Sequence, residues 1–102
     1  ISTGRKNLYF FNCLLDGEQF SYVMAATFYY MAKALGYDAH QIAGYVPLRG
    51  GGQGVHSWVE IDMDGSTYVF DPDFTHETKR NGYQITYGMS GTWRYSNYYR
   101  MN

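Results

Sequence analysis

Apolar residues recur at helical spacing after Ser21. Met24, Phe28, Met31 and Leu35 fall on one stripe of an α-helical period, and Ala25, Ala26, Ala32 and Ala34 add strong helix formers. Gly36 follows as a left-handed C-terminal cap, and Lys33 supplies a cation to the last turn. Ser21 stands at the start of this helix, as its N-cap or within its first turn. The pattern then becomes strand-like. His40–Val46, His56–Asp62 and Ser66–Asp71 read as strands, with Tyr83–Tyr87 and Trp93–Arg100 as two further candidates. Pro47 closes the first of these, and Arg49–Gly54 is expected to be a mobile, glycine-rich loop. Lys6–Leu15 has no clear periodicity, and Asp16-Gly17-Glu18-Gln19 reads as a turn. One helix followed by a run of strands predicts an α+β fold, with the helix packed on an antiparallel sheet.

Asp64-Gly65 is a strong two-residue hairpin signal. That turn pairs Trp58 with Asp71 and His56 with Asp73, and places all four side chains on one face of the sheet. His56 and Asp71 become diagonal neighbours, roughly 7–8 Å apart at the backbone. A carboxylate at that position can fix the tautomer of an imidazole and stabilise its charged form. The spacing is equally that of a structural pair across a hairpin. A nucleophile to complete such a site belongs at a helix N-terminus, where the dipole and free amides favour an anion.

Composition narrows the setting. The 102 residues suit one domain over 1–102, with residues 1–16 as a candidate remnant of a longer N-terminal region. Formal net charge is −1, so bulk electrostatics recruit neither nucleic acid nor an anionic membrane. No apolar run is long enough for a transmembrane helix. The chain starts at Ile1 without a Met or a leader, as expected of an excised domain or of one whose leader is absent or removed. Cys13 is the single cysteine, which excludes an intrachain disulfide. Tyr occupies 12 positions and aromatic residues 20% of the chain, as suits half-buried strands or an aromatic binding face. His40 and His76 form no metal spacing with His56, and Asp62-x-Asp64-Gly65 lacks the remaining ligands of a calcium loop. The sequence therefore implies no metal and no cofactor.

The order of motifs resembles that of transglutaminase-like domains of the papain-like cysteine-enzyme superfamily. Such domains have a Cys at a helix start, an Ala-rich helix ending Leu-Gly-aromatic, a strand with Gly-aromatic, then His-x-Trp-x-Glu, Asp-Gly and an aromatic strand closing in Asp-Pro. Here Tyr22–Ala34 leads into Leu35-Gly36-Tyr37. Gly44-Tyr45, His56-Ser57-Trp58-Val59-Glu60, Asp64-Gly65 and Phe70-Asp71-Pro72 follow in the same order. The match spans about residues 17–74, and residues 75–102 resemble a bacterial variant of the family's end. The resemblance implies acyl transfer at an amide, as peptide hydrolysis or Gln–Lys cross-linking, with His56 as base and acid and Asp71 as its orienter. Gln19, Trp58 and Gly54 are the implied substrate-binding or oxyanion positions. The implied partner is a peptide or protein, with cell-wall peptide among the candidates, in an extracellular or cell-surface bacterial setting.

Ser21 occupies the position of the family's nucleophilic cysteine, preceded by Gln19-Phe20 where the family has Gly and a small or polar residue. Cys13, eight residues upstream, cannot take that role without rebuilding the helix start. A hydroxyl is far less acidic than a thiol, so a site built to hold a thiolate is expected to turn over poorly. A natural pseudoenzyme, a Cys→Ser trap and a serine enzyme are the three readings of Ser21. The alternative class is a non-catalytic peptide- or cell-wall-binding module, although the chain lacks the regular repeat of wall-binding modules.

Overall fold

The computed structural model describes residues 18–102. Helix α1 (Glu18–Ala34) is followed by strands β1 (Asp38–Pro47), β2 (Gln53–Met63) and β3 (Ser66–Phe70), helix α2 (Pro72–Thr78) and strand β4 (Ser96–Arg100). The fold among these residues is α+β, with a four-stranded antiparallel sheet of order β3-β2-β1-β4. Lys6–Leu15, Cys13 and the first half of the Asp16–Gln19 turn lie outside the described residues, while Glu18 and Gln19 open α1.

Local chemistry accounts for the frame. Helix α1 ends in a two-bond cap: the amide of Gly36 donates to Lys33 O (3.0 Å) and that of Tyr37 to Ala32 O (3.0 Å), with Gly36 at φ 94°. The β2–β3 hairpin turns on Asp64 (φ 52°) and Gly65 (φ 81°) and holds the expected register, Val59 opposite Phe70 and Met63 opposite Ser66. The β1–β2 ladder is longer than expected and runs from Asp38–Asp62 to Pro47–Gln53. Gln53 and Gly54 thus belong to β2 rather than to a long loop. The turn between the strands is held by hydrogen bonds from Leu48 N to Gly52 O (3.0 Å) and from Gly51 N to Leu48 O (3.1 Å).

Both faces of the sheet are covered. On one face α1 packs through Ala25 and Ala32 onto Ala39, Val59 and Ile61. The expected stripe therefore differs from the buried one: Met31 and Leu35 are exposed, and the sheet receives the alanines with Phe28. Small side chains let the helix lie close to the strands, and the long apolar ones are displaced to its flank. On the other face Ile42, Trp58, Val69 and Ile85 form a second cluster, with Tyr87 and Tyr95 packed against it.

Two expected elements take other forms. Tyr83–Tyr87 is not a strand but contributes one isolated bridge, with Ile85 exchanging both backbone hydrogen bonds with Val69 (2.7 and 3.0 Å). Of Trp93–Arg100, only Ser96–Arg100 is strand, pairing with β1. The β3 ladder ends at Phe70, so Asp71 and Asp73 are not strand residues. Asp71 is the N-cap of α2, and Pro72 occupies its first turn.

Candidate active site

Alternation along β2 sends His56 and Trp58 to the face opposite α1, and alternation along β3 sends Val69 the same way. Asp71 follows two residues after Val69, at the point where the chain leaves the sheet. Its carboxylate is fully buried and its acceptor positions are filled. Oδ1 accepts the amide of Phe74 (3.0 Å), which caps α2. Oδ2 accepts from His56 Nε2 (2.8 Å) and from the Tyr95 hydroxyl (2.6 Å). One aspartate therefore starts a helix, anchors a distant tyrosine and orients a histidine. Burial, followed by the neighbouring Asp71 charge, pushes the Tyr95 phenol far above its ordinary value, so it serves as a permanent donor.

His56 is 3% exposed. Trp58 stacks beside it (5.8 Å between centroids), Trp93 meets its ring edge-on (4.9 Å), and Tyr95 lies at 6.5 Å. With Nε2 committed to Asp71, Nδ1 faces outward, where Asp73 Oδ2 stands 3.8 Å away. Asp73 is 5% exposed and its Oδ1 has no hydrogen-bond partner. Burial pushes its carboxyl up to about 6, opposed by the charge of His56 and reinforced by Glu77 and Asp71. A cleft of about 690 Å³ opens beside these two residues, walled by Val46, Leu48, Arg49, Phe74 and Trp93.

Ser21 lies in the first turn of α1, 1% exposed. Its Oγ accepts from the amide of Ser57 (3.3 Å), the residue after His56. The Ser57 hydroxyl faces the same side, donating to Ile42 O (2.6 Å) and accepting from Gln41 Nε2 (3.1 Å). Ser21 thus meets β2 one residue from His56, from the α1 side of the sheet. Comparison with family models, with curated proteins and with solved structures found no match.

The remaining sequence candidates are dispersed. Gln19 is exposed on the first turn of α1. Trp58 is fully buried, and its indole N–H donates to the Tyr87 hydroxyl (2.8 Å). It packs behind His56 and fills the core at the same time. Gly54 is buried opposite Val46, with the Leu48 side chain 2.5 Å from where a Cβ would stand. Trp93 and Tyr95 join the site without a sequence signal, and Asp73, expected opposite His56 on a strand, reaches it instead from the first turn of α2. Asp-Pro is a helix-start signal as much as a strand stop, and it could have placed Asp73 in the first turn of a helix beneath His56. Tyr95 carries no local signal, because its partner lies 24 residues away.

Proposed function

We propose that this chain is a transglutaminase-like acyl-transfer domain of the papain-like class. On this reading His56 is the base and Asp71 its orienter, and Ser21, which meets the Ser57 amide from the α1 side of the sheet, stands at the nucleophile position. The observation that carries the reading is the buried 2.8 Å contact from His56 Nε2 to Asp71 Oδ2, which leaves Nδ1 as the nitrogen for proton transfer. In an active member, a nucleophile at the start of α1 would attack an amide carbonyl and release an amine, and His56 would return the proton to that amine. Water or a second amine would then resolve the acyl-enzyme. With a hydroxyl in place of a thiol, no stored anion exists to begin the attack, and little amidase or cross-linking turnover is expected.

Peptide binding without turnover is the second reading. It is favoured by one observation: the cleft is lined by His56 and Asp73 and not by Ser21. Its apolar wall of Val46, Leu48 and Phe74, with Trp93 at the side, suits an extended peptide.

The test is Ser21→Cys. On this reading the helix start and His56 both favour a thiolate, so the thiol at position 21, buried like the serine it replaces, should ionise at mildly acidic pH, read by thiolate absorbance against the parent, which has Cys13 alone. His56→Gln in that background should return the thiol to ordinary ionisation. A thiol at position 21 that titrates near about 8.5 regardless of His56 would refute the assignment.

A further inference from the structure

At the far end of β2 from His56, the sheet brings a second chemical group together. The β1–β2 register sets Asp38 directly opposite Asp62, and His40 lies two residues along β1 on the same face as Asp38. Like charges directly opposed across a ladder are destabilising unless a cation lies between them. His40 Nε2 sits 3.0 Å from Asp38 Oδ1 and 3.7 Å from Asp62 Oδ2, and one ligand atom from each of the three residues lies within 4.8 Å of the others.

The orientation of His40 is the decisive detail. Its Nδ1 lies 2.9 Å from the backbone oxygen of Asn102. That oxygen can only accept, so Nδ1 carries a proton and Nε2 is the ring nitrogen that faces the two carboxylates. The Nε2 atom is buried and makes no hydrogen bond: Asp38 Oδ1 is near, but off the direction a ring N–H would take. An imidazole nitrogen pointing between two carboxylates, with its other nitrogen held by a backbone oxygen, is the arrangement of a metal-binding histidine. Two ligand atoms at zinc-ligand distances are about 2.9–3.4 Å apart at the usual angles. The His40–Asp38 spacing already fits, the His40–Asp62 spacing needs a few tenths of an ångström, and Asp38 and Asp62, within 4.8 Å of each other, close by side-chain adjustment of the exposed Asp38.

We propose that Asp38, His40 and Asp62 form a binding site for a divalent transition-metal ion of the zinc type. One imidazole with two carboxylates suits zinc, cobalt or nickel, whereas calcium and magnesium favour oxygen-only shells. The surroundings supply orientation. Thr67 donates to Asp62 Oδ1 (2.6 Å), and Arg100 Nη2 contacts both Asp62 oxygens (3.0 Å each) while its Nε donates to Glu60 (2.9 Å). The Thr67 hydrogen bond leads the interactions that hold the Asp62 carboxyl below its ordinary range. Three carboxylates against one guanidinium leave two negative charges, which a divalent ion neutralises. The role is structural, because the site joins β1, β2 and the segment after β4. Gln41 N bonds Asn102 Oδ1 (2.9 Å) and Met101 N bonds Gln41 O (2.7 Å) alongside it. Sequence spacing did not reveal the group, because its ligands come from two strands paired across the sheet.

The experiment is calorimetric titration of the chain with zinc chloride, cobalt chloride and calcium chloride, repeated on Asp38→Asn and His40→Gln. Asp38 is exposed, so its substitution leaves folding intact. One saturable site is expected, weakened at least about tenfold in each variant, with zinc raising the thermal midpoint of the parent alone. Absence of saturable binding, binding unchanged by Asp38→Asn, or equal affinity for calcium would each overturn the proposal. Unchanged binding would place the ion at Cys13, His56 or His76 instead.

Discussion

Asp73 shows how one buried carboxyl can make a fold weaker as the pH rises. Its folded-state value of about 6 lies above the ordinary value of 3.8. The folded chain therefore binds more protons between those limits, and stability falls as pH rises through that window. The groups facing it are His56, Asp71, Glu77 and His76, so the effect belongs to a cluster and not to burial alone. Asp73→Asn should remove that fall. Urea unfolding should find the variant more stable than the parent at pH 7, on the order of 1–3 kcal/mol, and little changed near pH 4. Parallel pH profiles for the two proteins would contradict the assignment. Asp71 stands in contrast: its three donors make it indispensable to α2 and to His56 at once.

At the scale of elements, Gly44 in β1 marks a point where backbones nearly touch. A Cβ there would lie 2.6 Å from Tyr98 Cβ, 2.7 Å from Trp58 Cη2 and 3.0 Å from Tyr98 Cα, at the place where the β1–β4 register shifts. Gly44→Ala should lower stability by about 1–3 kcal/mol through overpacking, measured as a lower urea midpoint at unchanged slope. The legible elements were those whose determinants are local. Asp64-Gly65 specified its turn and the ladder register, and Leu35-Gly36-Tyr37 specified the end of α1. The buried face of α1 was misread because apolar periodicity counts large residues, whereas close packing selected Ala25 and Ala32. Helix α2 was hidden behind Asp71-Pro72, which was read only as a stop. Of the site, His56 and Asp71 were legible because a hairpin register makes them neighbours. Asp73 was placed beside His56 by the same register but on a strand that does not extend so far, and it arrives there from α2; Tyr95 was not legible, since it depends on a tertiary contact.

Across the whole molecule, Arg100 is the link that ties the last strand to the centre. It reaches from β4 past β1 to Glu60 and Asp62 on β2. Glu60 is 6% exposed and also accepts from the Tyr87 hydroxyl, which itself receives the indole N–H of Trp58. Arg100→Met would keep the apolar stem and leave Glu60 with no cation. The thermal midpoint should fall by about 4–8 °C for each kcal/mol lost, with roughly 1–3 kcal/mol expected. A variant as stable as the parent would show that the arginine is ornamental. No helix among the described residues is long and apolar enough to cross a membrane. The sheet lies between α1 on one face and an aromatic layer on the other.

The pairing of β1 with β4 has a consequence for the order of assembly. Ile42 meets Arg100, whereas the β1–β2 and β2–β3 ladders close over short turns. Hairpin closure takes microseconds, while a contact between such distant parts of the chain must wait for a much larger loop to close. During synthesis the outer edge of β1 would stand unpaired until Arg100 had left the ribosome, a template for any passing strand in the meantime. The nascent chain is thus most exposed to mispairing in the interval before its final strand arrives.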